Sequence, residues 1–142
     1  MVTELTKPLY TAEATAVGGR DGHVRSADGL LDVDLRPPVE MGGPGGATNP
    51  EELFAAGYAA CFQSALAVVA RRSRVSVDGS TVKAKVTIGP VGGGGFGLAV
   101  ALDVHIPEVD AATTRALIDG AHAVCPYSNA TRGNIEVTLT AV

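Results

Sequence analysis

Apolar and polar positions alternate in the outer parts of this chain and run together in its middle. Residues Leu9 to Val17 alternate loosely and are rich in threonine, which predicts a first strand ending at Gly18-Gly19-Arg20-Asp21-Gly22. A second strand near His23–Ala27 meets Asp28-Gly29, a tight hairpin signal, and Leu30–Leu35 then alternates apolar and acidic side chains. Pro37-Pro38 closes what reads as a three-stranded antiparallel meander. From Leu53 to Ala70 the only clearly polar side chains are Gln63 and Ser64. This stretch predicts a helix apolar on nearly every side and therefore buried on nearly every side, with small residues that let neighbouring backbones approach. Thr48 and Glu51 stand at capping-box spacing, Asn49 is a second possible N-cap, and Pro50 suits a first turn. Arg71-Arg72 suits its end.

Beyond the helix, Thr81–Ile88 and Phe96–Ile106 read as strands joined through Gly92–Gly95. Asp110 can cap a second helix over Ala111–Val124, Cys125-Pro126 ends it, and Ile135–Val142 alternates as a last strand. The order βββ-α-ββ-α-β lacks the βαβ rhythm of a parallel sheet, so the expected class is α+β: antiparallel sheets with two central helices. At 142 residues the chain is expected to form a single domain, 1–142.

Composition narrows the function classes. Apolar residues make up 46% and charged residues 18%, as in globular proteins. The net charge of −4, without a basic stripe, gives no footing for nucleic acid. The N-terminus has no apolar stretch of signal-peptide length, and Leu53–Ala70 reads as a core helix, with no membrane partner; a cytoplasmic location is the expectation. A small, Gly-rich chain without tryptophan, carrying a fully apolar helix, calls for a partner subunit to cover it. The loop Met41–Ala47 is rich in glycine, but no Gly-Lys-Ser/Thr follows it, so phosphate binding is not expected.

The candidate chemistry is two thiols. Cys61 lies mid-helix and Cys125 closes the second helix; neither belongs to a CxxC pair, and His23, His105 and His122 do not fall at zinc spacing, so no metal is expected. In a reducing compartment such cysteines are free or redox-active rather than a structural staple. Cys61 has two readings: a small buried hydrophobe, or a thiolate nucleophile. The second needs a cation, because Cys61 is too deep in its helix for the N-terminal dipole to serve; Arg20 and Arg132, in glycine-containing loops, are the candidates.

Two long contiguous runs bear on this choice. Thr48-Asn49-Pro50-Glu51, continuing through Leu53-Phe54-Ala55-Ala56-Gly57-Tyr58-Ala59-Ala60-Cys61-Phe62, resembles the organic hydroperoxide resistance proteins of the wider OsmC-like group. So does Ala121-His122-Ala123-Val124-Cys125-Pro126-Tyr127-Ser128-Asn129-Ala130-Thr131-Arg132-Gly133-Asn134-Ile135, whose Cys-Pro-Tyr-Ser-Asn segment looks like that branch rather than OsmC proper. Gly19–His23 and Phe96-Gly97-Leu98 extend the likeness over the whole length. The resemblance implies a thiol-dependent peroxidase that reduces organic hydroperoxides to alcohols and answers oxidative stress. It implies Cys61 as peroxidatic and Cys125 as resolving cysteine, linked in turn by a disulfide, with Arg20 holding the Cys61 thiolate and Glu51 orienting Arg20. It further implies an intertwined homodimer, no bound cofactor, and dihydrolipoamide on a lipoylated protein as external electron donor. Glu52, Gln63, Ser64 and Arg25 depart from the family's pattern without replacing any implied role.

Physical reasons accompany these roles. A free cysteine has a pKa of about 8.5, so a guanidinium is required to form a thiolate near neutrality, and a carboxylate fixes the guanidinium fork. An apolar wall from Leu53, Phe54, Tyr58 and Phe62 would favour fatty or aromatic hydroperoxides as substrate. Glu51 and Cys61 are ten residues apart on one helix, about 15 Å of rise, so they cannot meet within it. If both serve one pocket, Glu51 and Arg20 reach Cys61 of the other chain. Two alternatives remain beside this reading: a lipid or small-ligand binding protein with structural cysteines, and a sibling OsmC-type enzyme preferring another peroxide.

Overall fold

In the computed structural model, which describes residues 2–142, the chain divides between Leu53 and Phe54 into two units. The first holds the expected meander: β1 (Ala14–Val17), β2 (His23–Ser26) and β3 (Asp32–Asp34), antiparallel in the order β1-β2-β3. All three are shorter than their alternation suggests. Leu9 and Tyr10, placed by the sequence in the first strand, lie outside it and stand 88% and 82% exposed. Leu30 and Leu31 are taken up by the hairpin turn, where the Asp28 carboxylate accepts from the Ser26 hydroxyl at 2.6 Å and the Leu30 N–H at 3.0 Å. Gly29 supplies the positive φ of 75° that this turn needs. Leu35, buried, then bridges to Thr48, and the Arg36 N–H donates to the Thr48 carbonyl at 3.0 Å.

Helix α1 spans Pro50–Arg72, as its cap and its terminal arginines predict. The cap itself is Asn49. Its side-chain oxygen accepts the Glu52 N–H at 2.8 Å, while Thr48 donates its hydroxyl to the Glu52 carboxylate at 2.8 Å. The capping-box pairing of Thr48 with Glu51 is not formed, because Asn49 already satisfies the third N–H of the helix and Glu51 has another partner. Nor is α1 buried all round. Its buried positions, Tyr58, Phe62, Ala65, Leu66 and Ala70, form one stripe at helical spacing, while Ala56, Ala60, Ser64 and Val68 lie exposed four residues apart along another. Within one chain there is too little structure to cover a helix apolar on every side.

The second unit carries β4 (Thr81–Pro90), β5 (Phe96–His105), α2 (Ala111–Val124), α3 (Pro126–Thr131) and β6 (Val137–Ala141). Asp110 caps α2 as expected, its carboxylate accepting the Thr113 N–H at 2.8 Å. The sheet order is β4-β5-β6, with β4 and β5 antiparallel and Val86 opposite Val100. β6 lies parallel to β5, Leu139 beside Leu102. So the chain does contain one βαβ crossover, against the expectation of antiparallel sheets alone, with α2 and α3 as the connection. Alternation shows which face of a strand is buried, not which way its neighbour runs. The α+β class and the two central helices stand. Alternate residues Val100, Leu102 and Val104 of β5 meet Leu117, Ile118 and Ala121 of α2 and the buried stripe of α1 in one core. Each fully buried Leu, Ile or Phe side chain there contributes about 1.5–3 kcal/mol.

Candidate active site

Arg20 sits in a short 3-10 turn, Gly19–Asp21, between β1 and β2. The turn is tight enough that a Cβ on Gly22 would lie 1.8 Å from the Val17 carbonyl oxygen, so only glycine closes it. The guanidinium forks onto Glu51 in the first turn of α1, Nη1 to Oε2 at 2.8 Å and Nη2 to Oε1 at 2.6 Å. The pair shifts both groups towards their charged forms: the Arg20 hydrogen bonds hold the Glu51 carboxyl below its ordinary range, and Glu51 raises Arg20. Arg36 braces the same turn, donating Nη1 to the Gly22 carbonyl at 3.3 Å with Nε 3.4 Å from Asp21. The first unit therefore brings Arg20 and Glu51 together in a bidentate ion pair.

In the second unit the structure brings the two cysteines together. Cys125 Sγ lies 3.7 Å from Cys61 Sγ; both are free thiols, Cys61 half-buried and Cys125 fully buried. Local chemistry explains the placement of Cys125. Pro126 disfavours helical geometry in the residue before it, and Cys125 is extended, with φ −64° and ψ 125°. The proline then opens α3, where its missing N–H costs nothing. This elbow turns the next donor, the Tyr127 backbone N–H, towards the Cys61 sulfur, where it favours the thiolate. Burial pushes the Cys61 thiol up, the Tyr127 N–H pulls it back, and the neighbouring Cys125 adds to the rise.

An apolar pocket of about 580 Å3 is lined by Phe54, Leu98, Pro126, Tyr127 and Ile135 among others, Pro126 following Cys125 directly in the chain. Of the side chains read from the sequence as a substrate wall, Phe54 lines it. Tyr58 and Phe62 are fully buried in the core, and Leu53, half-buried, ends the first unit. Phe54, Tyr58 and Tyr127 form an aromatic cluster with centroids 5.6–6.0 Å apart. Gly57 makes room for it: a Cβ there would stand 2.8 Å from the Tyr127 hydroxyl. A smaller cavity of about 420 Å3 opens at Cys61, Ser64, Val68 and Val124.

Other candidates fall elsewhere. The Arg132 guanidinium donates to the Asn129 side-chain oxygen at 2.8 Å and to the His122 carbonyl, holding the end of α2. Gln63 is exposed and donates to the Ser80 carbonyl at 2.9 Å. Among the described residues no group of three or more His, Cys, Asp or Glu side chains is placed to hold a metal ion. The sequence did not single out Tyr127 or Ser128 individually. A proline directly after Cys125 was the available signal, since a helix opening there points N–H groups back at what precedes it.

Comparison with known proteins places these features. The family model described as OsmC-like protein matches residues 43–140. The organic hydroperoxide resistance protein of Xanthomonas axonopodis pv. citri is 54% identical over 136 residues, covering 94% of this chain and 95% of its own. The solved structure of an organic hydroperoxide resistance protein from Legionella pneumophila is 51% identical with a TM-score of 0.91, covering 95% of this chain and 98% of that one. That of OhrB from Bacillus subtilis is 43% identical with a TM-score of 0.87, covering 95% of this chain and 100% of that one.

Proposed function

This chain belongs to the OsmC-like family, and from that premise we propose that it serves organic hydroperoxide resistance as a two-cysteine peroxidase. The role in resisting organic hydroperoxides and oxidative stress follows from the relatives' names and the shared fold. The observation that carries the mechanism is the 3.7 Å approach of two free thiols 64 residues apart. Cys61, half-exposed, is the peroxidatic residue. Its thiolate attacks the outer oxygen of R–O–OH, the O–O bond breaks, and the departing alkoxide takes a proton to leave as alcohol, with Cys61 now a sulfenic acid. The Cys125 thiol then gives up its proton as its sulfur attacks the Cys61 sulfur; the S–O bond breaks, the departing hydroxide takes up that proton to leave as water, and the disulfide forms. An external dithiol, dihydrolipoamide on a lipoylated protein, returns two electrons and two protons by thiol–disulfide exchange.

Within the second unit the Cys61 thiol is held up by burial, so the thiolate needs a cation. We assign that cation to Arg20, oriented by Glu51, from a second copy of the chain. The exposed stripe Ala56, Ala60, Ser64 and Val68 supports such a homodimer, because small side chains four residues apart let two helices pack closely. The apolar pocket favours hydroperoxides with fatty or aromatic bodies, with Phe54 and Tyr127 on its wall.

The test is the free-thiol count and non-reducing mass before and after one equivalent of an organic hydroperoxide. Loss of both thiols, with the mass of one intramolecular disulfide, is the expected result. Two unchanged thiols would leave the second reading, a small-ligand binding protein, which the apolar pocket also suits; there Cys61→Ser binds ligand as the parent does.

A further inference from the structure

Beside the thiols runs a buried chain of polar groups that the peroxidase cycle does not consume. The Thr131 hydroxyl donates to the Ser128 carbonyl at 3.3 Å, an acceptor that has no proton to give. A hydroxyl has one proton, so the 3.1 Å bond between Thr131 and Tyr58 must use the proton of Tyr58. The 2.8 Å bond between Tyr58 and Ser128 then uses the proton of Ser128. That leaves the 2.8 Å bond between Ser128 and His122 Nδ1 to the imidazole, which must carry its proton on Nδ1. One carbonyl thus orders the whole chain: His122 to Ser128 to Tyr58 to Thr131. Tyr58 and Ser128 are fully buried and Thr131 is 5% exposed, so no water competes for these bonds. Burial, seconded by the Arg132 charge, keeps His122 below its ordinary pKa, consistent with a neutral ring.

The chain joins three elements around one point. Tyr58 stands three residues before Cys61 on α1, His122 three residues before Cys125 on α2, and Ser128 three residues after Cys125 on α3. It therefore ties both arms of the Cys125 elbow to the turn of α1 that carries Cys61. We propose that His122 and Ser128 are positioning residues for the resolving step, holding Cys125 within reach of oxidised Cys61 so that condensation outruns a second oxidation. This rests on the two-cysteine reading and adds to it what sets the partition between its outcomes. A Cys61 sulfenic acid either condenses with Cys125 or is attacked again by hydroperoxide and becomes sulfinic acid, which no thiol reverses. Only the first depends on the elbow. A misplacement of about 1 Å can cost about 100-fold in such an intramolecular step.

The experiment compares the parent with His122→Leu, which removes the donor, His122→Asn, whose amide N–H replaces Nδ1–H, and Ser128→Ala. Each is oxidised with increasing hydroperoxide, and mass spectrometry counts disulfide against sulfinic acid while stopped-flow follows the first oxidation. The sulfinic fraction per turnover is expected to rise at least about 10-fold in His122→Leu and Ser128→Ala and to grow with hydroperoxide concentration. His122→Asn should return it towards the parent, and the first oxidation should stay within about 3-fold throughout. The half-buried His122 pair decides the matter if Ser128→Ala folds poorly. A parent-like partition in His122→Leu, or a uniform slowing of both steps at constant partition, overturns the proposal. A parent that forms no disulfide at all overturns the peroxidase reading instead, and this proposal with it.

Discussion

Replacing Gly57 with alanine sets two effects of similar size against each other at the wall of the pocket. Gly57 lies inside α1, where alanine is worth about 1 kcal/mol more than glycine through backbone entropy alone. Its Cβ would stand 2.8 Å from the Tyr127 hydroxyl and 3.3 Å from two ring carbons, where ordinary contact begins near 3.4 Å. The hydroxyl end of Tyr127 must therefore retreat by about 0.6 Å. It can do so, being 38% exposed and the far end of a side chain, but it is held by Phe54 at 5.9 Å and Tyr58 at 5.6 Å. Each aromatic pair is worth about 0.5–1.5 kcal/mol beyond its area, and the retreat forfeits part of both, on the order of 1 kcal/mol. The stability terms cancel, and Gly57→Ala should melt within about 3 °C of the parent. The pocket is not spared: with Tyr127 pushed into it, KM for an aromatic hydroperoxide should rise about 3- to 10-fold while that for a small alkyl hydroperoxide changes little. Thermal denaturation and steady-state kinetics on Gly57→Ala, Tyr127→Phe and the double variant separate the terms. In the Tyr127→Phe background the clashing oxygen is gone, and Gly57→Ala should raise Tm by about 4 °C. A rise of that size in Gly57→Ala alone, with KM unchanged, would refute the reasoning, because the ring would then be yielding at no cost.

Mixing Arg20→Ala with Cys61→Ser chains after unfolding and refolding together should recover about a quarter of parental activity if Arg20 acts across a two-fold interface, since half the dimers are mixed and each has one complete site; no recovery would place both residues in one chain. Proton NMR titration should find His23 above 6.5, because Asp34 and Asp32 hydrogen-bond its ring, and His122 below 6.5, because burial disfavours its charge. The signs carry into stability: the His23 contribution is present below 6.5 and lost as pH rises through its raised pKa, while that of His122 is present above 6.5 and lost as pH falls below it. The reverse order of the two midpoints would contradict both environments. Asp110→Ala should cost about 1 kcal/mol through loss of the α2 cap, lowering Tm by about 4 °C in a thermal scan with turnover at 25 °C unchanged; an unchanged Tm would show that the cap bond adds nothing.

The features legible in the sequence are those decided within a few residues. Pro50, Asp110 and Pro126 act on their own backbone or the next turn, and the bounds of α1 and α2 follow from them. Choices made across the fold were not legible. Glu51 stood three residues after Thr48 and read as half of a capping box, but Arg20, 31 residues away, offers it a bidentate partner that a backbone N–H cannot match. α3 is six residues long, too short for a 3.6-residue period to show, so Pro126 read as an end and not also as a beginning. Tyr58 read as pocket wall because it is aromatic in an apolar run. A tyrosine differs from phenylalanine by one hydroxyl, and once the ring is buried that hydroxyl must find a partner somewhere in the chain. The partners, Ser128 and Thr131, lie 70 and 73 residues on, beside the second cysteine. The two thiols are likewise 64 residues apart in sequence and in contact in space. An apolar helix with one polar hydroxyl in its buried stripe therefore says that a polar surface must come to meet it. That requirement and the meeting of the thiols are satisfied at the same elbow: the turn at Pro126 that brings Cys125 to Cys61 also brings Ser128 to Tyr58.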